Sequence, residues 1–540
     1  MKRRKFLQYA SASGLSLLGA GALYHGPARA ETRRAGLAAR GVAVTRKRLL
    51  VPGNSGVMGM LDLTGAPFTL TAKSMPFPMV RDSPSAMMLY TTQYAGRDYT
   101  NPTLRIKQGS QFSARLQNDL KEPNIVHWHG LHVPGDMDGQ PRSTIDAGQH
   151  FDYAYTVTNR AGLYFYHTHA HHLTAQQAYF GLSGLYIIDD DEDTALRTAL
   201  KLEPGVTEIP LVIQDKQFTQ AGELTYGINP MQTHMGQLGD TMVVNFTPDA
   251  QFDIGNRLYR FRILNGSNSR IYKLAFLHNG KLLPYTVIGT DAGLLERPHT
   301  AQSEYLSPAE RIDILFDASA LRKGDEVMLK SLAFPPLEGG SMADIAAMMG
   351  GVTGLGGTGG ATLDLGAEFD IMKLAVTEQT SAGPVAIPQR LSSIKPIDTR
   401  GVTPRLVALT VKNMHWLING EAFDMDRYPL KSRRNTIEVW DFQNAEMSMP
   451  HPMHMHGFSF QVVERRNSPA HVRALAKDAQ GRQITDLGWK DTVQVWPGET
   501  VRIAIDFTHP YPGDQLYLVH CHNLEHEDQG MMVNHLVTEA

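Results

Sequence analysis

Short runs in which apolar or β-branched residues alternate with polar ones recur along most of the chain. Examples lie at 104–107, 184–188, 311–316 and 501–506, with Gly, Pro, Asn and Asp between such runs. A period of two is typical of β-strands, and the residues between the runs are typical of turns. Helical periodicity is rare, with 195–202 as one short candidate. The pattern therefore predicts an all-β protein of sandwiches or barrels.

Two breaks divide this β-rich body into three parts of similar size. The glycines between 335 and 360 are too dense for a packed strand and indicate a linker or a loop. An acidic stretch at 189–193 marks a softer boundary. Since 540 residues are too many for one compact core, several domains are expected. We predict β-domains at 45–190, 195–335 and 365–540, with a Gly- and Met-containing connection at 336–364.

The first 30 residues are typical of an export signal rather than of a folded element. Lys2, Arg3, Arg4 and Lys5 form a cationic start, a weakly apolar stretch follows, and small residues near position 30 mark a cleavage site. The adjacent arginines resemble those of a twin-arginine signal. We therefore expect removal of residues 1–30 and export to the periplasm or another extracytoplasmic space.

Composition excludes several classes of protein. The formal net charge is -3, and the first 30 residues hold five basic residues and no acid, so the rest of the chain is more acidic. A nucleic-acid-binding protein would need a basic face. No apolar run after residue 30 is long enough to span a membrane. We expect no nucleic-acid partner and no membrane insertion after signal removal, and we expect a monomer.

Histidines form His-x-His pairs more often than chance predicts. Random placement of 22 histidines in 540 positions gives about one such pair, and the chain holds five. On a strand, residues i and i+2 point to the same face, so each pair sets two imidazoles side by side. Four converging pairs would supply eight nitrogen ligands, which suit a cluster of copper ions. The pairs fall in four blocks that begin at His127, His167, His451 and His520.

The single cysteine, Cys521, excludes an internal disulfide, a zinc ribbon and an iron–sulfur centre. It stands between the two histidines of the last block, so strand alternation sends it to the opposite face. There it can join His451 and His526, and Met531 lies ten residues beyond. Two histidines, a thiolate and a weak axial methionine make a blue-copper site for electron transfer.

The four blocks, in this order and spacing, resemble those of the multicopper oxidases from about residue 45 to the C-terminus. The resemblance implies three cupredoxin-like Greek-key domains and four copper ions: one type 1, one type 2 and a type 3 pair. It implies type 1 ligands His451, Cys521, His526 and Met531, and type 2 ligands His127 and His454. It gives one type 3 copper His129, His167 and His522, and the other His169, His456 and His520.

Two carboxylates stand where the family keeps groups that relay protons. Asp138 lies eleven residues after His127, and Glu527 follows His526 directly. Reduction of dioxygen to water consumes four protons, so a buried cluster needs such donors. The alternative is that each carboxylate only hydrogen-bonds to a ligand histidine and orients it.

The substrate is predicted from soft ligands near His451. Glu446, Met447 and Met449 precede it, and strand alternation would put both methionines on one face. Thioethers select cuprous ion, and an axial methionine leans away from high-potential fungal laccases. These features resemble the bacterial cuprous oxidases of copper tolerance, although each methionine could instead fill a core. The glycine-rich segment adds three further methionines: Met342, Met348 and Met349.

We therefore expect an oxidase that takes single electrons from a reductant, Cu(I) in first place, and reduces dioxygen to water. The main rival is a laccase-like oxidase of phenols and aromatic amines, which an open pocket over His451 would favour. A rival of another class is a periplasmic copper carrier or storage protein without turnover. A complete set of ligands for a dioxygen-reducing cluster argues against storage, which needs no such centre.

Overall fold

The computed structural model describes residues 46–80, 84–227, 234–337, 363–380, 383 and 385–539. The predicted signal at 1–30 and the loop residues Met342, Met348 and Met349 lie outside the described residues. Within the described residues, no helix is both long and apolar enough to cross a membrane. Six β-sheets dominate the fold, and they pair into three sandwiches, which confirms the predicted all-β class with three cupredoxin-like domains.

The first sandwich packs a six-stranded sheet on a five-stranded sheet around one apolar core. The six strands, in spatial order, are His150–Thr156, Gln111–Asn118, Phe68–Pro78, Pro84–Tyr94, Arg97–Thr100 and Gly56–Val57. The five strands are Met60–Asp62, Thr103–Lys107, Ser183–Asp189, Gly162–Thr168 and Val126–His129. Two histidine blocks therefore lie on the last two strands of the smaller sheet.

The second sandwich has the largest sheets and carries no histidine block. One sheet orders Lys47–Arg48, Ala250–Gly255, Phe369–Glu378, Glu326–Ser331, Tyr272–His278 and Lys281–Leu283, and Glu304–Leu306 pairs with Tyr272–His278. The other orders Thr247–Pro248, Thr241–Val244, Glu208–Phe218, Leu258–Asn265, Arg311–Asp317, Tyr285–Thr290 and Gly293–Ala301, and Leu224–Thr225 pairs with Glu208–Phe218.

The third sandwich repeats the layout of the first. Its six-stranded sheet orders His415–Ile418, Arg405–Lys412, Ile437–Asn444, Thr500–Asp506, Phe460–Arg466 and Trp489–Lys490. Its five-stranded sheet orders Leu430–Arg433, Met532–Thr538, Gln515–Cys521, His451–Met455 and Thr492–Val495. The other two histidine blocks lie on neighbouring strands of this smaller sheet.

Helices are short and connect the strands. The α-helices of the described residues are Thr174–Tyr179, Asp191–Ala199, Ala470–Arg473 and Leu524–Asp528, and the 3-10 helices are Gly135–Met137, Pro141–Ser143 and Ile484–Leu487. A helix is therefore present near the predicted 195–202, but it begins and ends earlier, at Asp191–Ala199. The Asp190 side chain starts it by accepting from the amide of Asp193 at 2.8 Å.

Strand pairing differs from the predicted domain limits at one point. We expected the third domain to begin at 365, whereas Phe369–Glu378 pairs with Ala250–Gly255 and Glu326–Ser331 of the second sandwich. By pairing, the third sandwich begins with Arg405–Lys412. A glycine-rich stretch marks a place where the chain is not packed in a strand, and it does not say to which sheet the next strand returns.

Candidate metal centre

The register of four strands brings the paired histidines together. In the first sandwich, His127 lies opposite His167 on neighbouring antiparallel strands. In the third, His454 lies opposite His520 in the same way. Each of these residues brings the second histidine of its pair to the same side. The result is one buried group of eight imidazoles: His127, His129, His167, His169, His454, His456, His520 and His522.

The imidazoles interlock between the first and third sandwiches. The ring of His127 stacks on that of His456 with centroids 3.7 Å apart, and His129 stacks on His454 at the same separation. Nε2 of His456 lies 3.0 Å from Nε2 of His520. The cluster thus lies at the interface between the two sandwiches, and neither sandwich alone supplies all eight imidazoles.

Asp138 orients two of these rings. Its main-chain carbonyl accepts from Nδ1–H of His127 at 2.8 Å, and its carboxylate Oδ2 accepts from Nδ1–H of His456 at 2.6 Å. Both imidazoles therefore keep Nε2 free for the centre of the cluster. Asp138 is fully buried.

Glu527 holds a similar place on the other side of the cluster. Its carboxylate oxygens lie 3.1 Å from Nδ1 of His520 and 3.5 Å from Nδ1 of His169. The residue is buried in the helix Leu524–Asp528, directly after His526. Both predicted carboxylates thus reach imidazoles of the cluster.

Asp491 is a third such carboxylate, and the sequence analysis missed it. Its Oδ1 lies 3.0 Å from Nε2 of His129, and its carbonyl accepts from Nδ1–H of His454 at 2.8 Å. Burial raises the pKa of the Asp491 carboxyl, and the Arg311 guanidinium opposes this with contacts of 2.7 and 2.5 Å to the two oxygens. Such a forked contact is that of a carboxylate with an arginine. No sequence signal marks Asp491, since these partners lie 362 and 180 positions away.

The donor set fits a cluster of transition-metal ions. A buried ring nitrogen without a hydrogen-bond partner is costly unless another group satisfies it. Nδ1 of His129, Nε2 of His167, Nε2 of His169 and both ring nitrogens of His522 have none among the described residues. Burial, followed by the proximity of other imidazoles, holds the pKa of six of the rings well below the usual value, which keeps them neutral: His129, His167, His169, His454, His456 and His522.

The geometric groups only partly match the predicted ligand sets. His169, His456 and His520 offer atoms within 4.8 Å of one another, as one predicted type 3 set requires. The other groups of the cluster combine members of different predicted sets: His127, His454 and His456; His127, His129 and His167; and His129, His454 and Asp491.

A second, smaller site lies on the other face of the strand that carries Cys521. Its Sγ is 3.5 Å from Nδ1 of His451 and 3.7 Å from Nδ1 of His526. Met531 is fully buried in the same apolar core as Cys521, and its carbonyl accepts from the Cys521 amide at 3.0 Å. Burial raises the pKa of the Cys521 thiol, so only a bound cation would favour the thiolate.

The predicted reductant-binding residues separate in the structure. Glu446 and Met447 are exposed, Met447 to 55%, whereas Met449 is 3% exposed and packs in the third core. The expected shared face of the two methionines is wrong, because residues 446–448 form a bend rather than a strand.

Both histidines beside Cys521 are covered on their outer sides. Nε2 of His451 lies 3.0 Å from Oγ of the buried Ser448. The indole of Trp416 stacks on His526, with centroids 4.5 Å apart. His451, over which an open pocket would favour a phenol oxidase, is itself fully buried.

Comparison with protein families gives a consistent result. Family models described as "Multicopper oxidase" match residues 81–193 and 398–540. These ranges contain all four histidine blocks and Cys521, and all of the second sandwich except the strand Lys47–Arg48 lies between them.

Individual proteins are similar over most of the chain. Bilirubin oxidase of Albifimbria verrucaria is 32% identical over 441 residues, covering 80% of this chain and 70% of that protein. A laccase of Bacillus subtilis is 28% identical over 497 residues, covering 80% and 88%. The crystal structure of the McoA multicopper oxidase from Aquifex aeolicus superposes with a TM-score of 0.80 at 36% identity, over 92% of this chain and 100% of that one.

Proposed function

Since this chain belongs to the multicopper oxidase family, we propose that it oxidises a reductant by single electrons at Cys521 and reduces dioxygen to water at the histidine cluster. One observation carries the proposal. Cys521 contacts its own pair of histidines, while His520 and His522, its neighbours in the chain, belong to the buried cluster. Two peptide bonds therefore join the site that would accept electrons to the site that would use them.

We assign four copper ions to these residues. His451, Cys521, His526 and Met531 would hold the type 1 ion, and His127 and His454 the type 2 ion. His129, His167 and His522 would hold one type 3 ion, and His169, His456 and His520 the other. Bound copper would supply one-electron redox chemistry at the first site and dioxygen binding at the cluster.

The protein's own part in the reaction is to orient ligands and to deliver protons. Asp138 and Glu527 are buried carboxylates within hydrogen-bonding distance of imidazole nitrogens of the cluster. We assign both the role of proton donors to the cluster, in addition to orienting the rings.

For the reductant we favour cuprous ion. Glu446 and Met447 supply an exposed carboxylate and an exposed thioether four to five residues before His451. A soft thioether beside a negative charge suits Cu(I). The buried Met449 is assigned to packing. With the predicted signal at 1–30, this function would be exercised outside the cytoplasm, in copper tolerance.

An organic reductant is the second candidate. The relatives named bilirubin oxidase and laccase favour it. Trp416 stacks on His526 but is fully buried, so an aromatic donor would not lie directly against its indole.

Oxygen uptake by the copper-loaded protein tests the proposal. Cuprous ion in excess should give fast, saturable uptake, and a dimethoxyphenol should be oxidised only when extra copper is added. Met447→Ala should slow uptake with Cu(I) while leaving the visible absorption of the Cys521 site unchanged. Met328→Ala, a half-buried methionine on a strand of the second sandwich, is the control.

The opposite pattern identifies the second candidate. Turnover of the phenol without added copper, with Cu(I) oxidation at the uncatalysed rate, would assign an organic reductant. Absence of uptake with either donor, in protein that carries its full copper, would remove the oxidase proposal itself.

A further inference from the structure

His129 directs Nδ1 toward the cluster, whereas most of the neighbouring imidazoles direct Nε2 toward it. Nε2 of His129 lies 3.0 Å from Oδ1 of Asp491 and 3.3 Å from Oγ1 of Thr492, while Nδ1 is buried and has no hydrogen-bond partner in the part of the chain that the structure describes. Five other imidazoles of the cluster use Nδ1 for their hydrogen bond to the protein: His127, His167, His454, His456 and His520.

The carboxylate that selects this nitrogen cannot turn away. Nη1 of Arg311 donates to Oδ1 of Asp491 at 2.7 Å, and Nη2 donates to Oδ2 at 2.5 Å. Arg311 is itself held by three main-chain carbonyls, those of Leu163, Ala309 and Asp291, at 2.9 to 3.0 Å. Every donor of the guanidinium thus has a fixed acceptor.

The ring of His129 is also fixed in its plane. It lies between the ring of Phe165, with centroids 4.2 Å apart, and the ring of His454 at 3.7 Å. The space around the ion pair is closed as well, because a Cβ at Gly130 would lie 2.4 Å from Oδ2 of Asp491 and 2.9 Å from Nη2 of Arg311. A flipped ring would aim a carbon at the carboxylate and lose the hydrogen bond.

Arg311 begins the strand Arg311–Asp317 of the second sandwich, which supplies none of the eight imidazoles. Asp491 belongs to the third sandwich, at the start of Thr492–Val495, and His129 to the first. One chain of three residues in contact therefore joins all three sandwiches at the cluster.

We propose that Arg311 and Asp491 are positioning residues that select the nitrogen which His129 offers to the metal cluster. Arg311 holds the Asp491 carboxylate in place, the carboxylate takes the Nε2–H of His129, and the lone pair of Nδ1 points to the cluster. The second sandwich thereby shapes the metal site without a ligand of its own. The inference rests on the proposed function only in that the cluster binds copper.

The tautomer is measured first, in the copper-free full-length protein labelled with 15N at histidine. Two-bond nitrogen–proton correlations distinguish Nε2–H from Nδ1–H, and the His129 signals are assigned by their loss in His129→Gln. We expect Nε2–H in the parent protein and in Asp491→Asn, which keeps an oxygen acceptor. An Nδ1–H signal for His129 in the parent protein overturns the inference, whatever copper does.

Copper affinity of the cluster is measured next, by chelator competition. Asp491→Leu and Arg311→Met should weaken it about 10- to 100-fold, the usual effect of losing a group that orients a ligand. The visible absorption of the Cys521 site should persist, and Arg311→Lys should restore part of the affinity. The matched control is Arg260→Met, which breaks an equally buried pair with Asp193 at 2.6 Å that touches no imidazole.

Three outcomes would overturn either the inference or the proposed function. A loss of affinity in Arg260→Met as large as that in Arg311→Met would reduce Arg311 to general stability and overturn the inference. Unchanged affinity in Arg311→Met would also overturn it, and this result stands even if Asp491→Leu does not fold. If the parent cluster binds no copper at all, the proposed function fails, while the tautomer measurement still judges the inference.

Discussion

Asp138 and Asp491 make equivalent contacts with the cluster. Each lies at a stacked pair of imidazoles, one from the first sandwich and one from the third, with ring centroids 3.7 Å apart. Each accepts from one ring with its main-chain carbonyl and contacts the other with its carboxylate. They differ in their remaining partners: Asp491 is held by Arg311, whereas Oδ1 of Asp138 has no hydrogen-bond partner among the described residues.

This difference in partners assigns different roles to the two aspartates. Asp491 cannot take up a proton without breaking a forked ion pair with a guanidinium that stays charged. Asp138 has no guanidinium partner to lose among the described residues, and its Oδ1 lies 3.4 Å from Nδ1 of His127 without a hydrogen bond. We therefore infer that Asp491 is a fixed anchor and that Asp138 is the carboxylate suited to pass protons.

Glu304 extends the comparison to a third buried carboxyl. It is buried on the strand Glu304–Leu306, and within the described part of the chain neither of its oxygens has a hydrogen-bond partner. Burial raises its pKa to about 8. The folded protein therefore keeps a proton that the unfolded chain loses above about pH 4.3. Stability from this group is fully present below that pH and is lost as the pH rises to about 8.

Glu304→Gln should show the largest effect. We expect its unfolding free energy to match that of the parent near pH 4.5 and to exceed it by a few kcal/mol at pH 9, because the amide cannot ionise. Thermal midpoints at a fixed scan rate, taken at both pH values, measure it. Glu203→Gln, at an exposed position, should shift neither midpoint. A difference in thermal midpoint between Glu304→Gln and the parent that stays the same at both pH values would contradict the raised pKa of Glu304.

Asp138→Asn should have the next largest effect. The amide oxygen can still accept from Nδ1–H of His456, so copper content and visible absorption should persist. Reoxidation of the reduced protein by dioxygen should slow about 10²-fold, because the proton donor is gone. Stopped-flow absorbance measures the rate, and Asp136→Asn, exposed two residues away, is the control.

An unchanged reoxidation rate would contradict the difference inferred between Asp138 and Asp491. If Asp138→Asn reoxidises at the parent rate, Asp138 only orients rings, as Asp491 does. The proton-donor role would then fall to Glu527, and Glu527→Gln should carry the slow phase.

What the sequence predicted and what it missed follow from the range of the contacts. The His-x-His pairs depend on the two-residue period of a strand, so their shared face could be predicted, and the register of His127 with His167 agrees. The same rule failed for Met447 and Met449, because the chain bends there. Arg311 and Asp491 depend on how three sandwiches meet, and no local pattern encodes a contact across 180 positions.

The acidic stretch at 189–193 gives a similar lesson. Its composition predicts a break between domains, and the chain does leave the first sandwich there. However, Asp193 is fully buried and pairs with Arg260 of the second sandwich at 2.6 Å. A run of acidic residues indicates a solvent-exposed segment unless each carboxylate has a cationic partner. Composition cannot identify such partners when they are distant in sequence.

Thr492→Val should have the smallest effect and tests the comparison most finely. Oγ1 of Thr492 donates to Oδ1 of Asp491 at 2.9 Å and lies 3.3 Å from Nε2 of His129. Losing this hydroxyl should cost about 1 kcal/mol of unfolding free energy. Thr290→Val, which loses one bond to the carbonyl of Trp489 at 3.1 Å, should cost about the same and serves as control.

The copper affinity of the cluster distinguishes the role of the Thr492 hydroxyl from that of the Asp491 carboxylate. If the Asp491 carboxylate fixes His129, Thr492→Val should weaken affinity much less than the ~10- to 100-fold expected when an orienting group is lost. A loss as large as that of Asp491→Leu would mean that the hydroxyl is the partner of Nε2. In that case Asp491 would act on the threonine rather than on the imidazole, and its likeness to Asp138 would be one of position alone.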